Sequence, residues 1–247
     1  MTSLALSKTV ISSDVVGSSG GRRRQSHLDA AHDLVLDKAF AAASKADRAM
    51  RSAFRRVDGD SATIVIDAAV SRAWVLADFV LREVVLALGE VNQTAGEEYR
   101  LRLRMAVDFG EVVSDPPHVQ GDAVVGAARL RDAEALREAM SGSPQAQLGL
   151  IVSDRFHREV VVHGERGLDA DVFRAVDVDV KTYSERGWVY LSGVAPKSTP
   201  AVNPLPHNRS ALSSSDRRVV NAEVFNVFED RVYAPRGVFG VVRDRRG

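Results

Sequence analysis

The chain has 247 residues, 45% hydrophobic and 27% charged, with 33 Lys and Arg balanced by 33 Asp and Glu. That length suffices for one sizeable hydrophobic core with a smaller appendage, and zero net charge gives no bulk attraction to nucleic acid or anionic lipid. The absence of cysteine excludes disulfides, zinc–thiolate sites and thiol nucleophiles.

Residues 1–13 lack the basic-then-apolar pattern of a secretion signal, and no apolar run reaches the roughly 18 residues of a membrane helix. A cytoplasmic protein with no nucleic-acid or membrane partner is expected. Residues 3–13 are apolar and β-branched and predict a strand, which Asp14-Val-Val-Gly-Ser-Ser-Gly-Gly21 breaks with small, turn-forming residues. From 26 to about 55, Leu28, Ala31, Val35, Ala39, Ala42 and Ala46 recur at spacings of three and four, which predicts a helix. Residues 56–67 predict a β-hairpin that turns at Asp58-Gly59-Asp60 and alternates through Ala62, Ile64 and Ile66.

Residues 70–91 predict a second helix, with Trp74 and Phe79 as large core candidates. A strand over 101–113 passes into a loop, followed by a third helix over 121–140, a strand over 147–152 and a short helix over 154–163. Residues 173–191 predict two strands around the turn Ser184-Glu-Arg-Gly187. The order β-α-β-β-α-β-α-β-α-β-β predicts an α+β sandwich with helices over one or both sheet faces. Beyond residue 195 the chain becomes rich in Pro, Ser, Asn and Thr, and then apolar again with Phe225, Phe228, Tyr233 and Phe239. The expected division is a main domain over 1–195, a linker over 196–218 and a short β-rich tail over 219–247.

Three groups of residues point to chemistry. Asp14 ends a strand and is followed by Gly17-Ser18-Ser19-Gly20-Gly21 and a helix. Small residues let backbone N–H groups approach an anion, and a helix N-terminus favours negative charge. Arg22, Arg23 and Arg24 oppose that helix dipole unless an anion compensates. The second group is Asp58-Gly59-Asp60, an ordinary hairpin turn by itself. A strand-end Asp14 and a hairpin Asp60 from neighbouring strands can meet, and two adjacent carboxylates need a cation. The third is Gly121-Asp-Ala-Val-Val-Gly-Ala-Ala-Arg129-Leu130, where Arg129 interrupts an apolar helix and is either a surface ion-pair residue or a phosphate-directed guanidinium.

Asp14-x-x-Gly17-Ser-Ser resembles the first metal motif of class III adenylyl and guanylyl cyclases, and Gly59-Asp60 resembles their second. Leu103 to Val113, with its Gly110-Glu-Val, resembles their hydrophobic strand before a Gly-Glu-Val segment. Residues 121–130 resemble the helix that reads Val-Asn-x-Ala-x-Arg-Leu. The four motifs occur in the family's order over roughly residues 8–192. The resemblance implies a ferredoxin-like βαββαβ core with extra α/β elements, and a head-to-tail homodimer with active sites at the interface. It implies two Mg2+ or Mn2+ ions on Asp14, Asp60 and the Val15 backbone. The triphosphate would lie on Gly17, Ser18, Ser19 and Lys181, and Arg129 from the opposite protomer would act in catalysis. The ribose 3′-hydroxyl would attack the α-phosphate and release pyrophosphate.

The sequence departs from the family where base and ribose are read. The ribose-orienting asparagine falls at Val125, which cannot hydrogen-bond. The base-reading pair falls at Arg56 and His118, the usual Lys-Gly at Lys181-Thr182, and the histidine before Gly-Glu at Asp108. These departures leave two readings: a cyclase acting on an unusual base, similar to bacterial antiphage pyrimidine cyclases that make cyclic CMP or cyclic UMP for a separate effector protein, or a degenerate nucleotide-binding domain. A third reading is a dimeric scaffold that presents the β-rich tail.

Overall fold

In the computed structural model, which describes residues 4–115, 118–180 and 183–194, the plan of the domain is set by its first strand. β1 (Leu6–Val15) is buried from Thr9 onward, so both of its faces are covered. It pairs antiparallel with β3 (Ser61–Asp67) on one side and β4 (Leu103–Asp115) on the other. β2 (Phe54–Asp58) adds outside β3. With helix α1 (Arg22–Ala46) after β1 and helix α2 (residues 72–93) after β3, the strand order β2-β3-β1-β4 gives the expected ferredoxin-like βαββαβ core. The middle of α2, Val75–Val84, is π-helical.

β6 (Leu148–Ser153) joins β4 in parallel, which requires a crossover. Helices α3 (Asp122–Arg131) and α4 (Glu134–Ser141) make that crossover, and α5 (residues 154–161) follows β6. β8 (Tyr183–Leu191) and β7 (Arg174–Val180) extend the sheet, each antiparallel to its neighbour.

Alternation along the strands assigns the two faces. Ile11, Val15, Ile64, Leu103, Met105, Val107 and Leu150 point into one large core with Leu28, Val35, Leu36 and Phe79 of α1 and α2. On the reverse face Val10, Val65 and Val112 meet Ala123 and Ala127 of α3, while Ala106 and Ile151 meet Leu130, Leu136 and Met140. Two polar clasps hold the connections. Asn92 exchanges side-chain hydrogen bonds with both backbone groups of Leu101, at 2.9 and 2.8 Å, closing α2 onto β4. The Arg102 guanidinium donates to the carbonyls of Met140, Ser143 and Ala146, satisfying acceptors at and beyond the end of α4.

Several expectations are corrected. The helix expected over 26–55 ends at Ala46, because Asp47 is extended and its side chain accepts the Ala49 N–H at 2.8 Å to start the 3-10 turn Arg48–Ser52. The single helix over 121–140 is two, broken where Ala133 adopts φ −59 and ψ 135. The turn expected at Ser184-Glu-Arg-Gly187 lies inside β8, paired with Asp179 to Val176, and Val180 pairs with Tyr183. Gly187 is a packing glycine: a Cβ there would lie 2.8 Å from Ile151 Cδ1. The expected loop after β4 holds a further short strand, β5 (His118–Gln120), paired with Val113 to Asp115. The linker and the tail, 196–247, lie outside the described residues. Among the described residues no helix is long and apolar enough to cross a membrane.

Candidate active site

The order of side chains along β1 places Asp14 on the α3 side of the sheet, two residues from Ser12 and four from Val10. The adjacent Val15 N–H donates to the Asp60 carbonyl at 3.0 Å, so the end of β1 and the β2–β3 turn are stitched together. Gly59 has φ 64 and closes that turn in the left-handed region. The next loop starts with Gly17 at φ 67, and Ser18 Oγ donates to Asp60 Oδ2 at 2.6 Å. Strand pairing and the glycine loop thus bring the two motif aspartates within electrostatic reach of each other.

Each carboxylate is met by a donor from its own chain. Asp14 Oδ2 accepts from Arg104 Nη2, and Arg104 stands directly opposite Asp14 in the β1–β4 register. Both side chains are largely buried, at 15% and 13% exposure. Arg131 lies within electrostatic reach and donates to Ser12 Oγ at 3.1 Å. Burial raises the Asp14 carboxyl above its ordinary value; Arg104 and Arg131 work against that rise, and the charge of Asp60 adds to it. An ionised Asp14 in this position is therefore stabilised by any further cation.

α1 adds residues that motif reading missed. His32 is fully buried, and its Nε2 lies 2.9 Å from Ser13 Oγ on the core side of β1. Burial lowers its pKa to about 4, so it is neutral at pH 7. Asp29 and Asp33, one helical turn apart, each hold one buried carboxylate oxygen without a hydrogen-bond partner. The Asp29 carboxyl is raised by burial first and then by the charges of Asp60 and Asp33. The region around Asp60 is consequently electronegative.

These residues fit a divalent cation of the Mg2+ type. Such an ion takes one or two carboxylates and fills its remaining positions with water and substrate phosphate. Asp14 and Asp60 could supply the carboxylates, and the Val15 N–H already joins the two segments through the Asp60 carbonyl. Among the described residues no group of three or more His, Cys, Asp and Glu side chains converges.

The remaining predicted residues divide. Gly17, Ser18 and Ser19 form the loop beside the aspartates, and Arg24 reaches back from α1 to the Gly17 carbonyl. Arg129 lies on α3 but on the helix face opposite Ala123, Ala127 and Leu130, the face it shares with Val125, which is 47% exposed. It is Arg131, about 160° around the helix from Arg129, that faces Asp14. Arg56 sits on the edge strand β2 and donates to Asp58 Oδ2 at 2.8 Å, while His118 lies on β5, and no described bond joins the two. Lys181 lies outside the described residues. Asp108 is fully engaged, accepting from Arg155 through both oxygens, from Ser153 Oγ and from the Phe109 N–H.

Arg104 was legible in principle. It is a lone charge in the run Leu103-Arg-Met-Ala-Val, and a charge in a strand covered on both faces must find a partner. A cavity of about 280 Å³ lies at the other end of β1, lined by Ser7, Lys8, Thr9 and Arg72, and is separate from the aspartates.

No family model matches the chain, and no curated protein matches it. Among solved structures the chain is similar to the guanylyl cyclase Cya2, with a TM-score of 0.50 and 16% identity over 82% of this chain and 98% of that one. It is also similar to an adenylate/guanylate cyclase/hydrolase from Silicibacter pomeroyi, with a TM-score of 0.54 and 20% identity over 77% of this chain and 99% of that one. At these identities what is held in common is the architecture, and this chain has the class III nucleotidyl cyclase fold, strongly diverged in sequence.

Proposed function

We propose that the chain is a metal-dependent nucleotidyl cyclase that closes a nucleoside triphosphate into a 3′,5′-cyclic monophosphate and pyrophosphate. The observation that carries this reading is the meeting of Asp14 and Asp60 beside the Gly17–Ser19 loop, on a fold whose solved examples include cyclases. Asp14, Asp60 and the Val15 carbonyl would hold two Mg2+ or Mn2+ ions, which when bound would supply 3′-hydroxyl activation and phosphate charge neutralisation. The backbone of Gly17, Ser18 and Ser19 holds the triphosphate, with Lys181 as a further phosphate contact. Arg129 offsets charge that develops on the transferring phosphate.

In this reading the chain forms a homodimer in which Arg129, on the α3 face that carries the exposed Val125, serves the partner's triphosphate. Arg56 and His118 are the candidate base readers. Neither is a residue of the purine-reading patterns, and Val125 removes a ribose contact, so CTP or UTP is the favoured substrate and cyclic CMP or cyclic UMP the product. A signal of that kind acts through a separate effector protein, as in antiviral defence. One observation favours a second reading: the exposed Val125, which cannot hydrogen-bond, would suit a catalytically degenerate nucleotide-binding or dimeric scaffold domain.

The assay that separates the readings offers purified protein Mn2+ with each of ATP, GTP, CTP and UTP. One cyclic product is expected, with CTP or UTP as its source, and Asp60→Ala is expected to abolish it. Absence of product from all four, or undiminished turnover in Asp60→Ala, overturns the catalytic reading.

A further inference from the structure

We propose that Arg24 is the positioning residue of the Gly17–Ser19 loop, holding the Gly17–Ser18 peptide in the one orientation that offers its N–H to a polyphosphate. This rests on the reading of that loop as the triphosphate cradle. The chain entering the loop is tied to the sheet: the Val15 N–H donates to the Asp60 carbonyl at 3.0 Å and the Val16 N–H to the Arg102 carbonyl at 2.8 Å. Beyond them, the backbone N–H groups of Gly17 to Gly21 are taken up by no other described residue. They are the donors an anion would use.

Unpaired N–H groups make a cradle only when they point the same way. Gly17 is at φ 67, and glycine crosses between backbone regions at little cost. In a planar trans peptide the C=O and the N–H point in opposite directions. If the Gly17–Ser18 peptide turns over, a carbonyl oxygen replaces the Ser18 N–H and repels phosphate. The torsions of the loop leave that choice open, and Arg24 closes it. Its Nη1 donates to the Gly17 carbonyl, and its Nε donates to the Glu98 carbonyl at 2.9 Å. The Gly17 carbonyl is held on the Arg24 side, so the Ser18 N–H is turned the other way. The Ser18 hydroxyl on Asp60 Oδ2 is the second tie.

The neighbouring residues accommodate this contact. An added Cβ on Gly20 would lie 3.1 Å from Arg24 Cδ and 3.2 Å from Nη1, so the missing side chain leaves the path by which the guanidinium returns to the loop. The charge of Arg24, unfavourable at a helix N-terminus, is shared between two carbonyls. The Glu98 contact also fastens the loop to the 3-10 turn Glu97–Tyr99, where the Tyr99 ring meets that of His27 on α1 edge-on at 4.7 Å. The segment leading into β4 is therefore part of the frame that holds the cradle.

The test titrates pyrophosphate with Mg2+ into the full chain, followed by calorimetry and by the amide NMR resonances of Gly17, Ser18 and Ser19. Arg24→Met keeps the aliphatic stem and loses the donors. It is expected to bind at least about tenfold more weakly, the scale of one hydrogen bond to a charged group. Its Ser18 amide resonance is expected to broaden or double as the peptide samples both orientations. Arg24→Lys keeps the charge without the fork that spans two carbonyls, and is expected to stay at least about threefold weaker than the unaltered protein. Arg23→Met removes the same charge from an exposed neighbour and is expected to cost less than about threefold.

Unchanged affinity or a single sharp Ser18 resonance in Arg24→Met overturns the proposal. Full recovery in Arg24→Lys, or an equal loss in Arg23→Met, overturns it by reducing Arg24 to a charge. If Arg24→Met does not fold, Arg24→Gln, also uncharged and without the fork, carries the same expectation and the same overturning results. Amides of Gly17, Ser18 and Ser19 that stay unmoved in the unaltered protein at saturation remove the loop from phosphate binding, and the proposal with it. Absence of cyclic product from every nucleotide leaves these affinities standing and counts against the catalytic reading alone.

Discussion

The two faces of strand β1 differ in composition and in burden. Ile11 and Val15 face α1 and α2, where they join a core that includes Phe79, Leu36 and Ile64, with the neutral His32–Ser13 pair as a polar inclusion. Val10, Ser12 and Asp14 face α3, where the apolar contacts are smaller and Arg131 and Arg104 approach. Burying apolar area stabilises without specifying chemistry, whereas a buried charge destabilises unless paired. One strand therefore anchors the fold with alternate residues and presents a buried, arginine-paired carboxylate with the others. The period of two makes that division possible within ten residues.

Mutations can be aimed at either side of this division. Phe79→Ala strikes the apolar side, where the ring is fully buried and lies 4.8 Å from that of Phe40. It is expected to cost about 3–5 kcal/mol of folding stability, read from urea denaturation. A loss under about 1 kcal/mol would show that the α1/α2 face is not the main anchor.

The His32 inclusion gives a pH-dependent version of the same experiment. Its pKa falls to about 4 in the folded chain from the ordinary 6.5, so the unfolded state binds the proton more readily. Stability from this group is fully present above about pH 6.5 and is lost as pH falls toward 4. The loss reaches at most about 3 kcal/mol. His32→Gln, which keeps a hydrogen-bonding side chain beside Ser13 without titrating, should flatten the stability profile over that window. Parallel profiles for the two proteins would rule out His32 as the source.

The smallest effect is expected on the α3/α4 side. Gly149 in β6 lets α4 approach so closely that an added Cβ would lie 2.5 Å from Met140 Sδ and 3.2 Å from Leu136 Cδ1. The methionine can yield, so Gly149→Ala should cost only about 1 kcal/mol. An equal or larger loss than for Phe79→Ala would reverse the ranking of the two faces.

What was legible in the sequence follows the same physics. The strands and helices around Asp14 and Asp60 were readable because period and turn chemistry agree there: Ala62, Ile64 and Ile66 alternate, and Asp58-Gly59 turns. Gly187 misled because a glycine spared for contact with Ile151 looks in sequence like a glycine spared for a turn. The break at Ala133 was hidden because α3 and α4 are both apolar on one side and carry no proline between them. At the candidate site, the motif residues on adjacent elements were found, while Arg104 and Arg131 were not. Their importance depends on strand register and helix rotation, which bring residues 90 and 119 positions apart into contact.

The helix face carrying Val125 and Arg129 matters to the proposed reading outside the single molecule. If Arg129 serves a partner's triphosphate, as proposed, the catalytic unit is created by the encounter of two copies. Output would then rise more steeply than the amount of protein synthesised, and fall away on dilution without any inhibitor. Expression level itself would act as a threshold.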